Sequence, residues 1–438
     1  MDGLTLDLFS VLTEHEWDWV LDKYKWVKGK VAKESQRMKE WVNSCRNEHE
    51  RACPCGSYSP IHPFTTFALM HLTTLQLTQF KNYASQALDL SPRLNCFVGA
   101  NGAGKTNLLE AVYYLCMGKS YDSSPDQYAI QHGDDVSRLE GAFQPTEAGA
   151  KPERIVVKLQ KRKRKIIEQN GAAYDRLADH VGRYPVVIIV PDDSRLVLEG
   201  SEIRRRLLDN SLSQTDPAYL NHLLTYNKLL ANRNALLKEL EGRKDTTGLL
   251  DVYDHQLAEP ASYLHQRRAA FIEPFSELLT EAYAAISGNR EQVKVGYKSH
   301  LAETPWPELV AERREKDRVL QRTSAGVHRD DLVFTQEGHP LRRVASQGQL
   351  KSFVLSLKLA QYRLLEQNTQ RTPILLLDDI FDKLDKKRVS QLLELVLTSS
   401  FGQVFITDTD PERVTTLIKA TGGADWKRFL VEDGAVKG

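Results

Sequence analysis

The spacing of apolar residues changes period several times along this chain, and each change marks an element. Leu94-Asn-Cys-Phe-Val98 is a short apolar run, as a buried strand is, and Leu108, Leu109, Val112, Leu115 and Cys116 then recur at helical spacing. Upstream, Leu72, Leu75, Leu77 and Phe80 predict a strand that opens at Met70. Further strands are predicted at Leu139–Phe143, Arg154–Leu159 and Ile166–Gln169, the last leading into an Asn170-Gly171 turn. Tyr184–Val190 is apolar throughout, as in a strand covered on both faces, and Pro191 ends it.

From residue 200 the pattern becomes helical. Ser201 can cap a helix carrying Arg204, Arg205 and Arg206, and from Pro217 the positions Tyr219, Leu220, Leu223, Leu224, Leu229, Leu230, Leu236, Leu237 and Leu240 repeat at helical spacing. After a turn over Gly242–Gly248, a second helix returns through Leu249, Val252, Leu257, Leu264, Phe271 and Leu278. Pro260 and Pro274 are expected to kink or divide it. The pair predicts an antiparallel arm inserted into an α/β head, projecting a few tens of ångströms at about 1.5 Å per residue. Past it, Leu332–Thr335 and Leu341–Val344 predict a hairpin around Gly338-His-Pro340. Leu350, Phe353, Val354, Leu357, Ala360 and Leu364 mark one helix face, and Thr372–Leu377 and Gln403–Thr407 are two more buried strands.

Chemistry gathers where these elements meet. The stretch Gly99, Ala100, Asn101, Gly102, Ala103, Gly104, Lys105, Thr106 joins the first apolar strand to its helix and fits G-x-x-x-x-G-K-[ST] at every fixed position. Its glycines let backbone N–H groups converge on β- and γ-phosphates, and the positive helix end favours the same anion. With Asn107 these are the candidate ATP-binding residues; Lys105 would reach the β/γ oxygens and Thr106 would ligate Mg²⁺. Asp378 and Asp379 end the strand beginning at Thr372. Asp378 would hold Mg²⁺ opposite Thr106, and Asp379 stands where an ATPase needs a group to orient or deprotonate the attacking water. Ser346-Gln-Gly348-Gln349 opens a helix, offering a hydroxyl, a free N–H and the helix dipole to a phosphate; read alone, it fits simple capping equally well. Leu384 and Asp385 follow at the spacing of a D-loop.

Composition narrows the class. No apolar run approaches the roughly 20 residues of a membrane span, and five cysteines in 438 residues suit a reducing cytoplasm rather than a disulfide scaffold. Fifty-nine basic against 58 acidic residues leave a net charge of +1, so any nucleic-acid contact needs a local patch. The most basic run is Lys161, Arg162, Lys163, Arg164, Lys165, which reads equally as a solvated hairpin tip or a DNA-phosphate contact; Arg204–Arg206 is the second candidate. Residues 1–69 hold four of the six tryptophans and end in a turn-rich linker. They read as an extension of unassigned role, with an upstream start site and a functional protein beginning at Met70 preferred. Cys45, His49, Cys53, Cys55 and His62 offer zinc-ligand types, but no second Cys-x-x-Cys answers Cys53-Pro-Cys55, so a cysteine-bearing loop is the simpler reading.

Taken together, Leu77–Tyr83, Gly99–Glu110, Arg204–Asp209, Asp254–Leu257, His328-Arg-Asp-Asp-Leu332, Ser346–Lys351 and Leu375–Asp379 resemble the RecF family of bacterial DNA-repair ATPases, relatives of the SMC heads in the ABC class. The resemblance spans Met70 to about Lys437. It departs at Val327, where a proline is usual, at Tyr253 in place of a tryptophan, and at Asp382-Lys383 beside the D-loop. It implies an α/β ABC/SMC-type P-loop ATPase head, its N-terminal part at 70–199 and its C-terminal part at 291–438, with the helical arm at 200–290 between them. It further implies a cytoplasmic, slow, Mg²⁺-dependent ATPase that dimerises on ATP, with Ser346, Gly348 and Gln349 serving the partner's nucleotide in trans. Such a clamp binds single- and double-stranded DNA and works with RecR, and with RecO and RecA, at single-strand gaps. A transporter ATPase subunit and a non-catalytic ATP-sensing interaction protein are the alternatives.

Overall fold

The computed structural model describes residues 70–122, 124–145, 149–241, 245, 247–288, 291–380, 401–413, 416 and 425–437. The cysteines and histidines at 45–62 and the D-loop residues Leu384 and Asp385 lie outside the described residues. In chain order, β1 (Met70–Phe80) and β2 (Tyr83–Asp89) form a hairpin, and β3 (Leu94–Val98) leads through the glycine-rich loop into α1 (Lys105–Met117). Then come β4 (Val136–Pro145), β5 (Glu153–Gln160), β6 (Ile166–Gln169), β7 (Ala172–Ala173) and β8 (Val186–Ile189). The arm is α2 (Ser201–Thr215), α3 (Pro217–Glu239) and α4 (Leu249–Ser287). Beyond it lie β9 (Val293–Lys298), α5 (Trp306–Leu320), β10 (Asp331–Gln336), β11 (His339–Pro340), α6 (Gln347–Thr369), β12 (Ile374–Leu377), β13 (Val404–Asp408), β14 (Trp426–Glu432) and β15 (Ala435–Lys437).

Two six-stranded sheets enclose α1. One is antiparallel, in the order β2-β1-β4-β5-β6-β7; the other runs β15-β14-β3-β13-β12-β8 and is parallel except at β14–β15. Eleven of the thirteen α1 residues are buried, the behaviour of a helix that meets apolar surface on all sides. Its Leu108, Val112 and Leu115 share a core with Leu75 and Leu77 of β1, Val157 of β5, and Phe97, Leu376 and Phe405 from the parallel sheet. Alternation along each strand sends Leu375, Leu377, Ile189 and Ile406 to the opposite face, against Leu355, Leu359 and Tyr362 of α6. Both faces of that sheet are therefore covered, which is why its strands read as unbroken apolar runs.

The β1 pattern, with apolar residues three, two and three apart, departs from the strict period of a strand. A register shift between Leu72 and Thr74 and a left-handed Gln79 (φ 50°) each absorb one extra residue, so Leu72, Leu75, Leu77 and Phe80 all reach the same core. Asn170 (φ 53°) and Gly171 (φ 87°) make the tight turn between β6 and β7, as expected.

Two sequence expectations need correction. Leu341–Val344 is a helical turn rather than the second arm of a hairpin. Pro340 has no N–H with which to extend a ladder, β11 is only two residues long, and β10 pairs instead along β9 on its other side. In the arm, α4 runs as one 39-residue helix through Pro260 and Pro274 and is not divided. Leu257, Ala261, Leu264, Phe271 and Phe275 are buried with Tyr219 and Tyr226 of α3 and Phe353 and Leu357 of α6. Packing on both sides of each proline outweighs the backbone bond it removes.

Candidate functional site

The loop between β3 and α1 is held in shape by contacts from two sides. Gly102 (φ 80°) and Gly104 (φ 116°) occupy backbone regions that glycine enters without strain. Asn82 Nδ2 donates to the Ala103 carbonyl oxygen at 3.2 Å and Tyr83 OH to that of Gly104 at 3.0 Å, so the β1–β2 turn grips the loop from one side. A Cβ on Gly104 would lie 2.4 Å from that Asn82 nitrogen. From the other side the Gly434 N–H reaches the Ala103 carbonyl oxygen at 3.1 Å, and a Cβ on Gly99 would lie 2.2 Å from the Val431 carbonyl oxygen. Ala100, Asn101 and Gly102 form the exposed crest, and Asn107 Nδ2 donates to Asn82 Oδ1 at 2.7 Å. Lys105 curls over the loop, its Nζ donating to the carbonyl oxygens of Gly99 and Ala100 at 2.8 and 2.9 Å. The N–H groups of Lys105 and Thr106 open α1 without intrahelical acceptors, at the positive end of a buried helix.

β13 lies between β3 and β12, and its end completes the polar centre. The Thr106 hydroxyl is 3.0 and 2.9 Å from the two carboxylate oxygens of Asp378, although 272 residues separate them in sequence. Thr407 of β13 donates to Asp378 Oδ1 at 2.8 Å and accepts the Asp379 N–H at 2.8 Å. Burial raises the Asp378 pKa above the ordinary carboxylate value, with the Thr407 and Thr106 hydroxyls and Lys105 acting against that rise. A desolvated carboxylate beside a hydroxyl is a hard-oxygen donor set that a divalent cation would stabilise, and it fits Mg²⁺. Asp379 holds φ 44°, a strained value for a residue with a Cβ. Asp408, at the end of β13, pairs with Arg413 at 2.6 Å, and its carbonyl oxygen accepts the Gly99 N–H at 3.2 Å.

Ser346 caps α6 in a reciprocal box: its Oγ accepts the Gln349 N–H at 3.2 Å, and Gln349 Oε1 accepts the Ser346 N–H at 2.7 Å. Gln349 Nε2 reaches Glu291 at 2.7 Å. Ser346 is exposed and Gly348 half-buried. This end of α6 therefore presents a helix N-terminus outward, with its hydroxyl engaged by its own helix.

The basic runs divide. Lys161–Lys165 forms the β5–β6 hairpin tip, with Lys161 near Asp135 at 3.3 Å, Lys165 bonded to Asp126 at 2.8 Å, and Arg162, Lys163 and Arg164 exposed. Arg204 is bidentate on Asp331 at 2.7 and 3.0 Å, and Arg205 donates to Ser201 Oγ at 2.6 Å and the Asp330 carbonyl oxygen at 2.7 Å. These two arginines are held inside the arm base, and only Arg206, paired with Glu202, faces solvent. Desolvation lowers the Lys119 pKa, Asp209 acts against that, and Lys165 and Arg206 lower it further, so a cation from each run acts on this residue just past α1. His328-Arg-Asp-Asp331 is a structural hub: Asp330 accepts from Arg268 at 2.7 Å, and His328 Nδ1 lies 2.8 Å from Tyr226 OH.

Sequence reasoning missed the Gly434 clamp, Asp193 and Lys358. Buried Lys358 donates to the Ile188 carbonyl oxygen at 2.9 Å and pairs with Asp193 at 3.1 Å. Its one visible signal was a lysine within the apolar stretch of α6.

A glycine-rich loop gripped by two hairpins, a carboxylate delivered by a parallel strand two places away, and a helical insertion between the halves define an ABC/SMC-type P-loop ATPase head. The family model for the RecF/RecN/SMC N terminal domain matches residues 71–422. The DNA replication and repair protein RecF of Flavobacterium johnsoniae is 42% identical over 353 residues, covering 80% of this chain and 98% of that protein. The RecF of Porphyromonas gingivalis strain W83 is 41% identical over 368 residues, covering 84% of this chain and 100% of its own length. A solved structure described as the recombination mediator protein RecF-ATP in the RecFOR pathway superposes with a TM-score of 0.75 at 28% identity, covering 86% of this chain and 99% of that one. This chain belongs to the RecF family, and both the transporter and the non-catalytic alternatives give way to that assignment.

Proposed function

We propose that this RecF-family ATPase works as a cytoplasmic DNA clamp of recombinational repair, closing as a homodimer on ATP and helping to load recombinase at single-strand gaps. Gly99–Asn107 binds the ATP phosphates, with Lys105 neutralising the β/γ oxygens. Thr106 and Asp378 hold Mg²⁺, which when bound screens the phosphate charge. Asp379 orients the attacking water, and its strained backbone marks a position selected for geometry over comfort. Ser346, Gly348 and Gln349 cover the partner's γ-phosphate. RecR, RecO and RecA are the partners this reading implies, from the pathway named for the solved RecF relative. No helix among the described residues is long and apolar enough to cross a membrane.

The observation that carries the reading is the division of the site: loop and carboxylate meet within one chain, whereas at the outward end of α6 Ser346 and Gln349 are satisfied, among the described residues, by one another and Glu291. For DNA, the exposed hairpin tip, Lys119 and Arg206 offer the phosphate-binding patch that a nearly neutral protein needs. Titrating a gapped duplex with and without ATP across a salt series tests this. ATP is expected to tighten binding, and neutralising Lys161–Arg164 should flatten the salt slope by about three to four units of log K per log salt. An unchanged slope would move the DNA surface elsewhere.

A further inference from the structure

Lys358 and Asp193 join two parts of the head that have no other reason to share a charge. Lys358 sits twelve residues after Ser346 on α6, about 18 Å along the helix. Its Nζ donates to the Ile188 carbonyl oxygen at 2.9 Å and lies 3.1 Å from Asp193 Oδ1, and the two side chains are 10% and 13% exposed. Ile188 is the register partner of Leu376 on β12, and the next carbonyl, of Ile189, accepts the Asp378 N–H at 2.9 Å. Asp193 closes the turn after β8, its second oxygen accepting the Val190 N–H at 2.8 Å. Lys358, Asp193 and Asp378 all line one cleft of about 470 Å³.

A leucine or methionine at position 358 would meet Ile188, Leu196 and Leu207, which line the same cleft, without stripping water from an ammonium. A buried ion pair adds little net stability over an apolar pair, because desolvation offsets the attraction; what it adds is a fixed geometry. The geometry here is the register of α6 against the strand ends that present Asp378. One end of the pair lies in the turn beside Asp378, and the other is built into the helix whose N-terminus is Ser346.

We propose that Lys358 is a positioning residue, which through Asp193 ties the α6 helix to the carboxylate end of the parallel sheet, so that occupancy of a subunit's own ATP site sets the placement of the Ser346–Gln349 end it offers to its partner. This rests on the reading of Ser346–Gln349 as the in-trans segment. The pair transmits position and takes no part in bond making, so its loss separates nucleotide binding from dimer closure and turnover.

The full-length Lys358→Met protein tests it, with three readouts: ATP affinity of the monomer by equilibrium titration, dimerisation on ATP by sedimentation, and steady-state turnover. ATP affinity is expected to stay within about twofold while turnover falls at least about tenfold and dimerisation moves to higher protein concentration. Lys358→Arg, which can still pair with Asp193, should recover most of the loss. If Lys358→Met does not give a cooperative thermal transition, the isosteric Asp193→Asn protein decides, with the same split expected. In a double-mutant cycle, Lys358→Met combined with Asp193→Asn should cost little more than either alone. Wild-type turnover and dimerisation in a folded Lys358→Met or Asp193→Asn protein would overturn the proposal, as would losses that simply add. Normal ATP-dependent dimerisation and turnover in Ser346→Arg would instead remove the in-trans reading beneath it, whatever Lys358 does.

Discussion

At the loop end of the head, Ala103, Gly104 and Thr106 are held by Asn82, Tyr83, Gly434 and Asp378, whereas at the signature end Ser346 and Gln349 satisfy one another. The first arrangement is braced, because its polar groups have partners from distant parts of the chain. The second is a capped helix N-terminus facing solvent, its cap made within its own first turn. On the proposed function, one chain carries a binding loop and a cover for the site of its partner.

The largest expected break in this contrast comes from Lys105→Ala. Removing the ammonium should weaken ATP binding by about 2–4 kcal/mol, roughly 30- to 1,000-fold, since the phosphate charge loses its closest counter-ion. Equilibrium titration checks this, and the fold should persist because the Lys105 ammonium bonds to carbonyl oxygens of its own loop.

A second effect is acid instability on both sides of the head. His180, under α1 with Nε2 on the Leu115 carbonyl oxygen, and His328, in the arm hub, are both held down at about 4 by burial. A histidine with a depressed native pKa binds fewer protons folded than unfolded between about pH 6.5 and 4, so stability is full above that window and falls as pH drops through it. The loss should reach on the order of 2 kcal/mol for each histidine by pH 5. Urea midpoints at pH 7 and pH 5 measure it. Substituting His180→Gln and His328→Gln together should lower stability overall but flatten its pH dependence.

Smaller still, Ser346→Ala sharpens the comparison at the signature end. It deletes the cap of α6 and should cost about 1 kcal/mol of stability by denaturant titration, leaving monomeric ATP affinity unchanged. A loss of ATP affinity in the monomer would mean that Ser346 serves its own loop.

The same contrast governs what could be read from sequence. The loop end was legible because its chemistry is contiguous: Gly99–Thr106 is one motif, and Asp378 and Asp379 end one apolar run. Its clamps were harder to see. Val431 and Gly434 act through backbone atoms on Gly99 and Ala103, and no side-chain pattern announces a backbone contact across more than 300 residues. Arg204 and Arg205 looked like a surface run, since helical spacing does not reveal that Asp331 and the Asp330 carbonyl oxygen lie beneath them. Leu341–Val344 has strand composition, and only the pairing of β10 with β9 shows why it is a helical turn. Pro260 and Pro274 argue locally for a broken helix, and tertiary burial overrides them.

The claim that the ATP site is shared between two chains is tested most directly by steady-state turnover in an equimolar mixture of Lys105→Ala and Ser346→Arg proteins. Each alone should be inactive, one lacking the loop cation and the other carrying a bulky cation where the partner's γ-phosphate must fit. A heterodimer keeps one intact site, built from the loop of the Ser346→Arg chain and the α6 end of the Lys105→Ala chain. Mixing should restore activity toward about a quarter of the wild-type rate if pairing is random and one closed site suffices. Wild-type turnover by the Ser346→Arg protein on its own would show that each chain completes its own site, and would contradict the account.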